Sequence, residues 1–127
     1  MTIARSDFTP DYLDRLESFY DAVFGWKVNR KLSIDGERTL LDIPGNRQYL
    51  NIRAADHPMD VTGYEHMGVY LDSVEAVKRA YVDVKREADP AELELDERGI
   101  QVLYDGRLTT FRFRYLIPLA IEIQHIG

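Results

Sequence analysis

The sequence predicts an α+β fold of two βαβββ modules within a single domain spanning its 127 residues. Three observations predict it. Each half carries one amphipathic helix, and the two helices place their apolar residues at the same spacing. Each helix follows a short strand-like run and precedes several more. Between the two sets lies a polar segment containing Pro58 and Gly63, which reads as a linker.

In chain order, residues 2–8 read as the first strand. Thr9-Pro10-Asp11 then announces a helix: Thr9 or Asp11 can accept from the free N–H groups of a first turn, where proline's missing N–H costs nothing. Leu13, Leu16, Tyr20, Val23 and Phe24 recur at helical spacing, and Gly25 ends the run as a left-handed stop. The predicted helix covers residues 12–24. Strands are predicted over 26–32, 38–43 and 47–54, separated by the turns Ser33-Ile34-Asp35-Gly36 and Pro44-Gly45-Asn46. Residues 1–54 thus form module one, 55–63 the linker and 64–127 module two.

Module two starts with a strand over 64–71. Its helix, predicted over 73–85, opens at Asp72-Ser73 with Glu75 in a capping-box position. Val74, Val77, Tyr81 and Val84 form its apolar stripe, each 61 residues beyond Leu13, Leu16, Tyr20 and Val23. Four coincidences at one offset indicate an internal repeat. Asp89-Pro90-Ala91-Glu92 reads as a fresh cap and predicts a short acidic helix over 90–98, ended by Gly99. Strands over 101–104, 108–116 and 120–125 complete the module.

Composition removes several function classes. The chain has 16 Lys and Arg against 22 Asp and Glu, a formal charge of −6, and no long basic stripe. Nucleic-acid affinity rests on cations meeting phosphates, so no nucleic-acid partner is expected. With no cysteine there are no disulfides, thiol nucleophiles or cysteine zinc sites. No apolar run approaches the ~20 residues of a membrane span, and residues 1–11 lack the apolar core of a signal peptide. A cytoplasmic protein without membrane partners is expected.

Strand alternation sorts side chains by face. Met67, Val69 and Leu71 point toward the second helix, leaving His66, Gly68 and Tyr70 on the other face. Ile121 and Ile123 go to the helix, and Ala120, Glu122 and Gln124 to the other face. In module one, Leu50 and Ile52 go inward, and Tyr49, Asn51 and Arg53 outward. Phe111 and Phe113 alternate with Thr110, Arg112 and Arg114.

Three stretches resemble the glyoxalase and bleomycin-resistance proteins of the vicinal-oxygen-chelate superfamily. Glu17-Ser18-Phe19-Tyr20-Asp21-Ala22-Val23-Phe24-Gly25-Trp26 is similar to their first-helix signature. Residues 65–76, Glu65-His66-Met67-Gly68-Val69-Tyr70-Leu71-Asp72-Ser73-Val74-Glu75-Ala76, resemble the start of their second module. Ala120-Ile121-Glu122-Ile123-Gln124 resembles their closing strand. The likeness covers nearly the whole chain. It implies curved sheets around a concave pocket, and metal-dependent members place four ligands there, on the first and last strand of each module.

By that resemblance His66 and Glu122 occupy the second-module ligand positions. The repeat assigns Arg5 and Asn51 to the first-module positions, or Ala4 in place of Arg5 if the first strand shifts by one. Arginine has no lone pair to donate and asparagine is a poor ligand for Zn, Ni or Fe, so the tetrad is broken. Arg5 is expected instead to neutralise Glu122. The resemblance then implies a protein that binds a small organic ligand without the full family metal site. His66 and Glu122 are its candidate catalytic groups; Arg5, Tyr49, Asn51, Tyr70 and Arg112 are its ligand contacts. No cofactor is expected. The alternative is a metal-dependent lyase, isomerase or dioxygenase holding a divalent metal at His66 and Glu122; a third reading is a module without ligand that acts through a protein partner. A homodimer is expected.

Overall fold

The computed structural model describes residues 1–45 and 47–127. Asn46, the third residue of the predicted turn at 44–46, lies outside them. The chain divides into two compact units, Met1–Asp60 with Leu116–Pro118, and Val61–Tyr115 with Leu119–Gly127.

The first unit contains strand β1 (Thr2–Ala4), a 3-10 turn (Arg5–Asp7), helix α1 (Pro10–Phe24) and strands β2 (Lys27–Val28), β3 (Arg38–Ile43) and β4 (Gln48–Ala55). Its sheet order is β1-β4-β3-β2, with β1 parallel to β4 and the other pairs antiparallel. The second unit contains β5 (His66–Tyr70), α2 (Val74–Glu87), β6 (Glu94–Leu95), β7 (Gln101–Leu103), β8 (Leu108–Arg114) and β9 (Ala120–Ile126). Its order is β5-β9-β8-β6, and β7 also pairs with β8. Again the first strand lies parallel to the last. Both units therefore follow one α+β plan, a strand and a helix followed by antiparallel strands, the last of which returns beside the first.

The helices start where the caps dictate. The Thr9 hydroxyl accepts from the Tyr12 N–H at 3.1 Å, and the Ser73 hydroxyl from the Ala76 N–H at 3.0 Å. Each bond satisfies a backbone donor that a first helical turn leaves free. Gly25 closes α1 at φ 73°, where its N–H reaches the Asp21 carbonyl. Leu16, Tyr20, Leu41 and Ile52 are fully buried in the first unit, with Trp26 stacked on Tyr20 at 5.4 Å. Val77 and Val84 of α2 are fully buried in the second, as are Ile121 and Ile123. Phe111 meets the Tyr81 ring edge-on at 5.2 Å.

Several expectations change. The first strand ends at Ala4, and Arg5 opens a 3-10 turn. The acidic helix over 90–98 does not form. Asp89 accepts from Ala91, Glu92 and Leu93 in a single turn, after which Glu94 and Leu95 pair with Arg114 and Phe113. Strand pairing with β8 outweighs a cap followed by too few helical residues to nucleate. Gly99, at φ 61°, closes a turn from Asp96 instead of ending a helix.

The repeat offset also changes. The capping residues Thr9 and Ser73 stand 64 residues apart, as do the first residues of β1 and β5, Thr2 and His66. The 61-residue offset was a slip of three, just under one turn, which lays one apolar helical stripe onto another. On the structural count His66 stands level with Thr2 and not with Arg5.

Candidate functional site

Glu122 sits between two fully buried isoleucines, Ile121 and Ile123, so strand alternation turns its carboxylate to the sheet face opposite α2. Three side chains of the same unit converge on it. Thr110 Oγ1 lies 2.9 Å from Glu122 Oε1 and 3.0 Å from the Ile123 carbonyl, with one proton to share between them. Arg112, directly opposite Glu122 in the β8–β9 register, places Nη2 3.3 Å from Oε2. His66 Nε2 lies 2.9 Å from the same Oε2. The carboxylate is only 17% exposed, so this cluster is partly withdrawn from water.

The other His66 nitrogen, Nδ1, lies 2.9 Å from the Tyr64 carbonyl. Carbonyl and carboxylate are both acceptors, so the ring satisfies both only when each nitrogen carries a hydrogen.

Beside this cluster is a cleft of about 290 Å³, bordered by Tyr64, by Glu94, Asp96 and Arg98, and by Arg112 and Arg114. Arg98 grips Asp96 with Nε at 3.0 Å and Nη2 at 2.6 Å, and these bonds hold the Asp96 carboxyl down at about 2. Arg114 Nη1 lies 3.5 Å from Glu94, and its Nε is buried with no hydrogen-bond partner among the described residues.

Of the remaining expected site residues, Arg5, Tyr49 and Asn51 belong to the first unit and Tyr70 to the second. Arg5 bonds Asp56 at 3.0 Å and Glu37 at 2.9 Å. The expected Arg5–Glu122 pair is thus replaced on both sides, because Arg5 leaves the strand and Arg112 holds the position opposite Glu122. Asn51 lies on β4, on the face shared by Thr2, Ala4, Arg53 and Ala55, and its Oδ1 is buried without a partner among the described residues. Tyr49 and Tyr70 stand exposed on β4 and β5, and Tyr70 pairs with Gln124, two steps along the ladder from Gly68 and Glu122.

No family model matches the chain, and neither does any curated protein. Solved structures do. A glyoxalase/bleomycin resistance protein/dioxygenase family enzyme from Burkholderia phytofirmans PsJN aligns with a TM-score of 0.70 at 14% identity, over 100% of this chain and 96% of the other. The fold is that of the glyoxalase and bleomycin-resistance proteins. Lactoylglutathione lyase from Agrobacterium tumefaciens shares this glyoxalase-like fold at a TM-score of 0.61 and 20% identity, over 98% and 91% of the two chains. So does a mutant of the fosfomycin resistance protein FosX from Listeria monocytogenes, complexed with Mn(II) and 1S,2S-dihydroxypropylphosphonic acid, at 0.67 and 15%, over 99% and 88%.

A glyoxalase-like fold can carry a divalent metal, as that Mn(II) complex does, so the residues at hand can be tested for fit. His66 and Glu122 are two candidate ligands. Both Glu122 oxygens already face donors, and a permanently charged guanidinium stands 3.3 Å from one of them. Among the described residues no three His, Cys, Asp or Glu side chains gather for a metal. A guanidinium this close to the carboxylate opposes a dication there, so this donor set does not fit one. No helix among the described residues is long and apolar enough to cross a membrane.

Sequence reasoning missed Thr110, Tyr64, Asp96 and Arg98 as neighbours of the site. Thr110 was findable, since it shares a face with Arg112 and Glu122. Asp96 and Arg98 were hidden by the predicted helix, because the pairing of β6 with β8 carries them to the cleft.

Proposed function

We propose that this protein binds a small organic ligand on the open sheet face of its second unit, at His66, Arg112 and Glu122, without a resident divalent metal. The observation that carries this reading is the state of the Glu122 carboxylate. Thr110, His66 and Arg112 occupy it, which leaves it an anchor for cations and hydroxyls, with little to offer a metal. Two further features support it. The adjoining cleft is of metabolite size, at the lower end of the range for ligand pockets. Tyr70, exposed on β5 two steps along the ladder from Gly68 and Glu122, offers a secondary ligand contact.

The second reading, catalysis, is favoured by the 2.9 Å contact of His66 with Glu122, the geometry of a histidine oriented by a carboxylate for proton transfer. The two readings part on metal content and turnover. We expect elemental analysis of the purified protein to find no stoichiometric Zn, Ni, Fe or Mn, and a small-molecule library to shift the amide signals of His66, Arg112 and Glu122. One tightly bound transition metal per chain overturns the binding-protein reading and puts a metal-dependent lyase, isomerase or dioxygenase in its place.

A further inference from the structure

We infer that Arg112 and Arg114 form a clamp for the oxyanion end of the ligand, a carboxylate, phosphate, phosphonate or sulfate group carried by a small organic molecule lying along the cleft. This rests on the ligand-binding reading above and assigns the charged end of that ligand.

Arg112 and Arg114 are two residues apart on β8, so both point to the open face, with their Cα atoms about 7 Å apart. Each guanidinium has five N–H donors in a planar fork that matches two oxygens at once. How those donors are used separates the three arginines of the cleft. Arg98 commits two of them to Asp96 at short range. Among the described residues Arg112 makes one polar contact, to Glu122 at 3.3 Å. Arg114 makes one, at 3.5 Å, to a Glu94 carboxylate that is 69% exposed and free to swing into water. The Nε of Arg114 is buried and meets no acceptor among the described residues. The terminal nitrogens of the guanidinium are therefore the donors an oxyanion in the cleft would meet, and the bond they give up is the long one to Glu94.

Net charge does not drive the binding. Glu94, Asp96 and Glu122 balance Arg98, Arg112 and Arg114 one for one. What selects an oxyanion is the direction of uncommitted donors. A neutral molecule offers weaker acceptors, and a cation would face two guanidinium groups. Glu94 is then the competitor that the ligand displaces.

The test uses the full chain with three probes of similar shape: phenylphosphonate, benzoate and benzyl alcohol. Each is titrated while the arginine Nε–H signals are followed by NMR. The expected result is that both anions shift the Arg114 Nε–H signal and benzyl alcohol does not. Arg114→Gln should weaken phenylphosphonate by at least about tenfold, as loss of a charge-assisted bidentate contact does, with Arg114→Lys rescuing little of it. Glu94→Gln should tighten the same binding, a gain that a misfolded variant cannot produce. Anions that bind the cleft with equal strength in wild type and Arg114→Gln overturn the clamp and leave the ligand-binding reading standing. So does benzyl alcohol binding the cleft as well as the anions. If a broad library of neutral, cationic and anionic molecules leaves every signal of the cleft unmoved, the clamp and the ligand-binding reading fall together.

Discussion

His66 and Glu122 meet at 2.9 Å although neither is the other's partner in the sheet: the β5–β9 register pairs His66 with Ala120 and Glu122 with Gly68. A side chain at Gly68 would meet Gln124 and not this pair, whose atoms lie more than 4 Å from a Cβ built there. A Cβ built there would stand 2.8 Å from the Gln124 amide nitrogen. The tip of that side chain can move, so Gly68→Ala should be tolerated. Gly68→Val should displace Gln124 and leave the His66–Glu122 contact in place, so by NMR Glu122→Gln should shift the His66 ring signals in wild type and in the Gly68→Val background alike.

Removing the carboxylate has a cost that can be read separately. Glu122→Ala strips Thr110 and Arg112 of a charged acceptor in a partly buried setting. We expect it to destabilise the protein by about 1–3 kcal/mol, the range for hydrogen bonds to charged groups. Urea unfolding should show a lower midpoint with an unchanged slope. An unaltered midpoint would mean that the cluster contributes nothing to the fold.

Tyr12 gives a prediction at high pH. Its phenol is buried, donates to the Leu116 carbonyl at 2.7 Å, and is pushed well above the ordinary value of 10.0, first by burial and then by the nearby Asp7 charge. A phenol whose folded value is raised adds stability that is fully present below the unfolded value and fades as pH rises through the folded one. Stability should therefore fall above pH 10.0 in wild type, and less steeply in Tyr12→Phe. Denaturant titrations across alkaline pH measure both.

Asp96 behaves in the opposite sense. Arg98 holds its carboxyl at about 2, chiefly through the side-chain hydrogen bond, so the pair's contribution is present above the ordinary value of 3.8 and is lost as pH falls toward about 2. The pair is close to solvent, so its effect on stability should be small. Arg98→Gln should return the Asp96 carboxyl to the ordinary carboxylate range in a carbon-detected NMR titration. A titration that remains near 2 in the variant would assign the shift to another group.

Self-association is the remaining expectation. Val102, Tyr104 and Ile126 are exposed on β7, at the β7–β8 turn and at the end of β9, an apolar surface on a small chain. A symmetric homodimer should appear as a doubled mass by light scattering. Val102→Lys should reduce it to a monomer if this surface is the one used.

Much of the fold could be read locally. The caps at Thr9 and Ser73, the stop at Gly25, the β3 limits Arg38–Ile43 and the alternation around Ile121 and Ile123 depend on neighbours in sequence, and each stands as read. Strand ends were less legible. Tyr104 reads as strand but sits at φ 54° in the turn with Asp105 and Gly106. The acidic stretch carried a true cap signal, and only the partner strand made it β6.

The candidate site divides in the same way. The sequence alone determined that His66, Glu122 and Arg112 point to one face, because a strand's period of two is a property of its own backbone. It could not determine which of them touch, because register is a relation between strands set by turns and by competing partners far along the chain. The β8–β9 ladder set Arg112 opposite Glu122, the end of β1 at Ala4 sent Arg5 to Asp56 and Glu37, and pairing of Glu94 with Arg114 built one wall of the cleft. Those choices follow from long-range hydrogen bonding and burial, which no local pattern encodes, and they decided which cation stands beside the carboxylate.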